Sequence, residues 1–110
     1  MTHEMRLHPE PFAKIRNGFK VIEARLNDEK RQEISVGDDI QFALRPDFIE
    51  KIDTEVIELL HAPTFAELYA LCPLAEFGIT EQETEDMYQY YSKKEEATFG
   101  VVGIKFKLVQ

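Results

Sequence analysis

The chain has no tryptophan and a single cysteine, Cys72, in 110 residues, so no internal disulfide can hold it together. Its three histidines, His3, His8 and His61, are widely separated and have no cysteine pair for company. Metal-ligand spacing is therefore missing, and neither a metal nor another cofactor is expected. There is no run of about 18 apolar residues and no basic-then-apolar N-terminus ending in small residues. Nothing directs the chain into a membrane or out of the cell, and the cytoplasm is the expected compartment. Cationic charge is also short: 13 Lys and Arg stand against 21 Asp and Glu, a net charge of -8. Residues 51–92 hold one Lys and nine acidic residues, which argues against broad binding of duplex DNA, a contact that needs clustered cations. A small basic pocket for one nucleotide or a few unpaired bases remains compatible with that balance. The five glycines form no phosphate-binding loop, and no nucleophile triad is visible.

What is present fits one domain spanning residues 1–110: 44% hydrophobic and 31% charged residues, enough for one core but not two. The segment around which the rest is organised is Gly18-Phe19-Lys20-Val21-Ile22-Glu23-Ala24-Arg25-Leu26. If residues 21–26 are extended, Ile22, Ala24 and Leu26 share an apolar face, and Glu23 and Arg25 share the other with Lys20 at the strand entrance. The charged face is expected to point outward. Two plain readings accompany it. Glu23 and Arg25 can be an exposed ion pair worth up to about 1 kcal/mol, and Lys20 can complement the negative end of the preceding helix.

Pro9, Phe12, Ile15 and Gly18 mark that helix, over residues 9–17. Residues 5–7 suffice for a strand stub. Residues 27–32 read as a solvated turn of helix capped by Asn27, and Val36-Gly37-Asp38-Asp39 turns into a strand over 40–44 that Arg45-Pro46-Asp47 breaks. The β-branched content of 52–61 predicts another strand. Capping boxes at Thr64 and Thr80 predict helices to about Cys72 and Ser92, and a half-buried alternation predicts a last strand over 99–108. This order points to an α+β fold, a small, mostly antiparallel β-barrel with peripheral helices.

The run Gly18-x-Lys20-x-x-Glu23-x-Arg25, followed by Val36-Gly37-Asp38-x-Ile40-x-Phe42, resembles the signature of the ASCH domain family of the PUA-like superfamily. Tyr88-Gln89-Tyr90-Tyr91 and Phe99-Gly100-Val101-Val102-Gly103-Ile104 are similar to segments of bacterial stand-alone members. The resemblance implies a PUA-like barrel with a cleft at the Lys/Glu/Arg strand and a role in binding single-stranded RNA, nucleosides or nucleotides. It also brings in a hydrolase alternative. One branch hydrolyses N4-acetylcytidine with a Lys, a Thr three residues on, and a later Glu. Lys20 matches the Lys, and Glu76 or a neighbour such as Glu81 falls near the later Glu. Glu23 occupies the Thr position, so the hydroxyl nucleophile is missing.

Two classes of function follow. In a binding module, Lys20 and Arg25 take phosphate and Glu23 takes a base or ribose hydroxyl. In a hydrolase of modified nucleosides or RNA, Glu23 or Glu76 activates water while Lys20 and Arg25 stabilise developing charge. Tyr88, Tyr90, Tyr91 and Phe99 can stack bases or fill a core; Tyr88 or Tyr91 is expected nearest the cleft. A third reading, a protein-binding surface, rests on the acidic stretch 81–86.

Overall fold

Alternating hydrophobicity becomes a five-stranded sheet in the computed structural model, which describes residues 1–109. The strands are β1 (Thr2–Leu7), β2 (Ile22–Leu26), β3 (Asp39–Leu44), β4 (Lys51–Ala62) and β5 (Val101–Leu108), in the order β1-β3-β4-β5-β2. All neighbours are antiparallel except β1 and β3, which run parallel with Thr2 opposite Asp39 and Leu7 opposite Leu44. The expected stub at 5–7 is thus a full strand. The ambiguous 52–61 stretch is the long strand β4, which pairs with β3 through its first half and with β5 through its second. A register shift between Val56 and Glu58 bends β4 at the handover, as an extra residue in one strand increases local twist. The sheet curls into an open barrel, and no backbone ladder joins its edge strands β1 and β2. A side chain spans the gap: Arg25 Nη2 donates to the Arg6 carbonyl at 3.3 Å.

The core has two parts. Met5, Leu7, Ile40, Phe42, Val56, Val102, Ile104 and Phe106 fill the barrel beside Phe12 and Ile15 of α1 (Pro9–Arg16). Ile22, Ala24 and Val101, on the outside of the sheet, pack with Phe65, Leu68 and Tyr69 of α3 (Phe65–Tyr69) and with Phe77. The first half of β5 is consequently buried on both faces. A side chain at Gly103 would meet Leu68 and Ile22 at 3.1 and 3.2 Å, so that glycine sets how closely α3 approaches.

Three local expectations change. The single turn α2 (Glu29–Gln32) is capped by Asp28, whose carboxylate accepts from the Arg31 amide, and not by Asn27. The Thr80 capping box forms, but the continuous helix to Ser92 does not: two turns of 3₁₀ helix, Glu81–Glu83 and Asp86–Gln89, take its place. A second capping box, Ser92 with Glu95, then opens α4 (Lys93–Phe99). Phe99 therefore ends a helix instead of starting β5. Buried Glu96 ties these pieces together, accepting from the Phe65 amide and the Tyr88 hydroxyl, both at 2.8 Å.

No helix among the described residues is long and apolar enough to cross a membrane.

Candidate functional site

α1 stops because Gly18 takes a left-handed conformation (φ 81°), which lets the Phe19 and Lys20 amides both donate to the Lys14 carbonyl. That C-cap turns the chain into β2 with Lys20 at its entrance. Direct opposition across an antiparallel pair places side chains on one face. Glu23 lies opposite Ile104, and Arg25 opposite Val102. Both partners belong to the barrel interior, so the charged face of β2 looks into the barrel mouth and not outward as expected. The apolar face is the outer one, covered by α3 and the 3₁₀ turn Leu74–Phe77. A strand buried on both sides leaves its charges little water to lean on.

They lean on one another. Lys20 is 8% exposed and Glu23 5%. The Lys20 ammonium lies 2.9 Å from one Glu23 oxygen and donates to the Phe77 carbonyl at 2.9 Å. Arg25 Nε donates to the other Glu23 oxygen at 2.7 Å. Burial alone would raise the Glu23 pKa, but the two cations outweigh it and hold the carboxyl down at about 2. Burial likewise works against the Arg25 guanidinium, and Glu23 and Tyr91 outweigh it, so its pKa is raised. Glu23 and Arg25 are both ionised at neutral pH, and the cluster has donors left over. Lys20 has one N–H beyond its two partners, and Arg25, with five, has N–H groups beyond those that meet Glu23, Arg6 and Tyr91.

These side chains line a cleft of about 430 Å³ between the free edges of β1 and β2. Arg6 and Arg45 stand on the β1 and β3 side, Tyr69 and Phe77 toward the helices, and Tyr90 and Tyr91 at the 3₁₀ segment. The acidic stretch forms part of the lining through Glu83 and Asp86. Tyr91 stacks on Phe65 with centroids 6.0 Å apart, which fixes its ring, whereas Tyr90 is 62% exposed, with His8 as its ring neighbour at 6.4 Å. Burial and the Glu23 charge raise the Tyr69 pKa, so its hydroxyl stays protonated.

Of the residues expected here, the fold brings Lys20, Glu23, Arg25 and Tyr91 together. Glu76 is not among them. It pairs with Lys105 at 3.6 Å, and Lys105 sits opposite Ile22 on the outer face; only its backbone carbonyl takes part, accepting from the Val21 amide. Glu81 also lies outside the cleft lining. Tyr88 is turned away as well, its hydroxyl bound to Glu96 and pushed up to about 12 by burial and that carboxylate. Tyr90 takes the exposed place. Sequence reasoning missed Arg6, Arg45 and Tyr69. Arg6 alternates with Met5 and Leu7 as an outward charge, but nothing local shows that the β1 edge faces β2. Among the described residues, no group of three or more His, Cys, Asp or Glu side chains is disposed to hold a metal ion.

Gly78 sets the position of Lys20. It is left-handed (φ 74°), and a Cβ on it would stand 3.1 Å from two carbons of the Lys20 stem. Gly78→Ala therefore combines a strained backbone with a displaced ammonium and is expected to cost about 1 to 3 kcal/mol, read as a lower urea midpoint. An unchanged midpoint would show that Lys20 is free to move.

An open, curled five-stranded sheet of this strand order with helices packed on it has the PUA-like fold. The chain belongs to the ASCH domain family, whose model matches residues 5–110. Among solved structures it is similar to the hypothetical protein PH0355, at 29% identity and TM-score 0.86, covering 99% of this chain and all of that one. The solution structure of PF0455 from Pyrococcus furiosus matches at 28% identity and TM-score 0.78, covering 100% of this chain and 99% of that one. The ASCH protein from Zymomonas mobilis shares the fold at 14% identity and TM-score 0.71, covering 96% of this chain and 66% of that one. No curated protein matches significantly.

Proposed function

We propose that this protein binds a nucleoside, a nucleotide or a short unpaired RNA segment in the cleft between β1 and β2. The observation that carries the reading is the buried Lys20-Glu23-Arg25 network on the cleft wall, with unused donors on both cations. Glu23, with a lone pair left on each oxygen, accepts from a base amino or ribose hydroxyl group. Tyr90 and Tyr91 offer aromatic faces of the kind that hold unpaired bases. The cleft admits single bases and strands, and the acidic residues in its lining disfavour a duplex.

Two observations weigh for recognition over general-base hydrolysis. Glu76 lies outside the cleft, and Glu23, held at about 2, is far from the value near neutrality that an efficient base needs.

Calorimetry with nucleosides, nucleotides and short single-stranded RNAs tests the reading. Wild type is expected to bind at least one of them. Tyr90→Ala, at a 62% exposed position where folding is not at stake, is expected to weaken that binding about fivefold or more. Absence of any binding to wild type, or an unaltered affinity in Tyr90→Ala together with Lys20→Met, removes it.

A further inference from the structure

Beside the cleft lies a second, more polar groove of about 470 Å³. Arg6, Arg25, Lys30, Arg31 and Arg45 line it against one acid, Glu4. Five of the chain's 13 Lys and Arg thus converge on one groove in a protein of net charge -8. Like charges gathered this way repel one another, and acidic partners offset only three of the five, Arg6 through Glu4, Arg25 through Glu23 and Arg31 through Asp28. Lys30 and Arg45 have no acidic side chain within ion-pair distance among the described residues. Arg6 lies 3.8 Å from Glu4 and otherwise stacks on the Phe48 ring. Arg31 pairs with Asp28 through Nη1 at 3.3 Å, but its Nε is buried with no hydrogen-bond partner. A buried donor left unmade carries its full desolvation cost. Four of the five cations are arginines, whose planar fork suits the oxygens of a phosphate.

The groove and the cleft are continuous through shared residues, since Arg6, Arg25 and Arg45 line both. Arg25 is the pivot. Its Nε holds Glu23 on the cleft side, while Nη2 reaches the β1 edge at Arg6.

We propose that this groove is a phosphate site, and that the ligand of the cleft is a phosphate ester with its base beside Glu23 and Tyr91 and its phosphate among Lys30, Arg31 and Arg45. The proposal rests on the base-binding reading of the cleft and names the ligand class more narrowly: a nucleotide or RNA strand, not a free nucleoside. Glu23 already neutralises one of the cleft cations, so a phosphate gains more from the groove, where Lys30 and Arg45 have no acidic partner among the described residues.

The test compares, by calorimetry, a nucleoside, its 5′- and 3′-monophosphates, inorganic phosphate, and an abasic sugar-phosphate dimer. One monophosphate is expected to bind at least about tenfold tighter than the nucleoside, with the gain shrinking as salt is raised. In the Lys30→Ala/Arg45→Ala double variant the nucleotide-to-nucleoside ratio is expected to fall to near one. The Arg31 Nε–H resonance, followed in two-dimensional NMR spectra, is expected to shift on adding the abasic dimer. Equal affinities for nucleoside and both monophosphates, or a ratio that survives the double variant, overturns the phosphate site while leaving the base-binding cleft standing. Binding of the abasic dimer without any response to nucleosides or their monophosphates overturns the cleft reading and leaves the groove as a phosphodiester site. Inorganic phosphate bound as tightly as the best monophosphate overturns joint occupation of groove and cleft.

Discussion

Glu23→Ala is expected to destabilise the fold by about 3 to 5 kcal/mol. Glu23 is the carboxylate that touches both Lys20 and Arg25, at 2.9 and 2.7 Å, and the three side chains are only 7 to 16% exposed. Removing it leaves two buried cations facing each other without compensation, a far larger penalty than loss of a surface pair. Urea unfolding at neutral pH measures it; a loss below about 1 kcal/mol would mean that water reaches the cluster freely. The complementary change sharpens the inference. Replacing all three at once, Lys20→Met, Glu23→Leu and Arg25→Met, is expected to leave stability near the wild-type level or above it, since burying well-packed apolar groups rivals burying an ion pair. A triple variant of unchanged stability that no longer takes the nucleotide would support the binding role proposed for the cluster.

The site was legible where it is local. Lys20, Glu23 and Arg25 lie within six residues, Lys20 at the entrance of β2 and the other two on it, and Gly18 marks the helix stop that precedes them, so spacing placed the three charges close together. The direction of that face was not legible. Whether β2 turns its charges outward or inward depends on how β5 pairs with it and on α3 covering Ile22 and Ala24, neither of which the strand itself records. The curled, mostly antiparallel sheet followed from alternation and turn residues. The parallel pairing of β1 with β3, which carries Arg6 and Arg45 toward the cleft, joins segments over 30 residues apart and leaves no short-range trace.

The segment from Thr80 to Ser92 shows the opposite failure. Its capping box is real, yet Glu81, Glu83, Glu85 and Asp86 crowd the turns that a continuous helix would need to propagate. Like charges three and four positions apart on a helix oppose it. Met87, Tyr88 and Tyr91 are drawn onto the outer core, and Ser92 with Glu95 offers a fresh start one turn later. With the helix broken, Tyr88 turns to Glu96 and Tyr90 is left at the mouth. The tyrosine facing the cleft was therefore decided by tertiary packing, not by helical spacing.

Acid is expected to withdraw the stabilising part of the same cluster over a defined range. The Glu23 carboxyl titrates at about 2 in the fold against an ordinary value of 4.5, so the folded protein binds that proton more weakly than the unfolded chain. The resulting stability is present in full above about 4.5 and disappears as the pH falls toward 2. From the size of the shift it amounts to about 3 kcal/mol. Other carboxyls share the window: Asp38 is held down at about 2 by the His3 ring and the Ser35 amide, and Glu83 is lowered by Thr80. Subtraction separates them, because Glu23→Gln keeps Asp38 and Glu83 and removes only the buried titration. Urea unfolding at successive pH values is expected to give a wild-type curve that descends below 4.5 more steeply than that of Glu23→Gln, the difference closing toward the acid limit. Parallel curves would mean that Lys20 and Arg25 do not hold the carboxylate ionised.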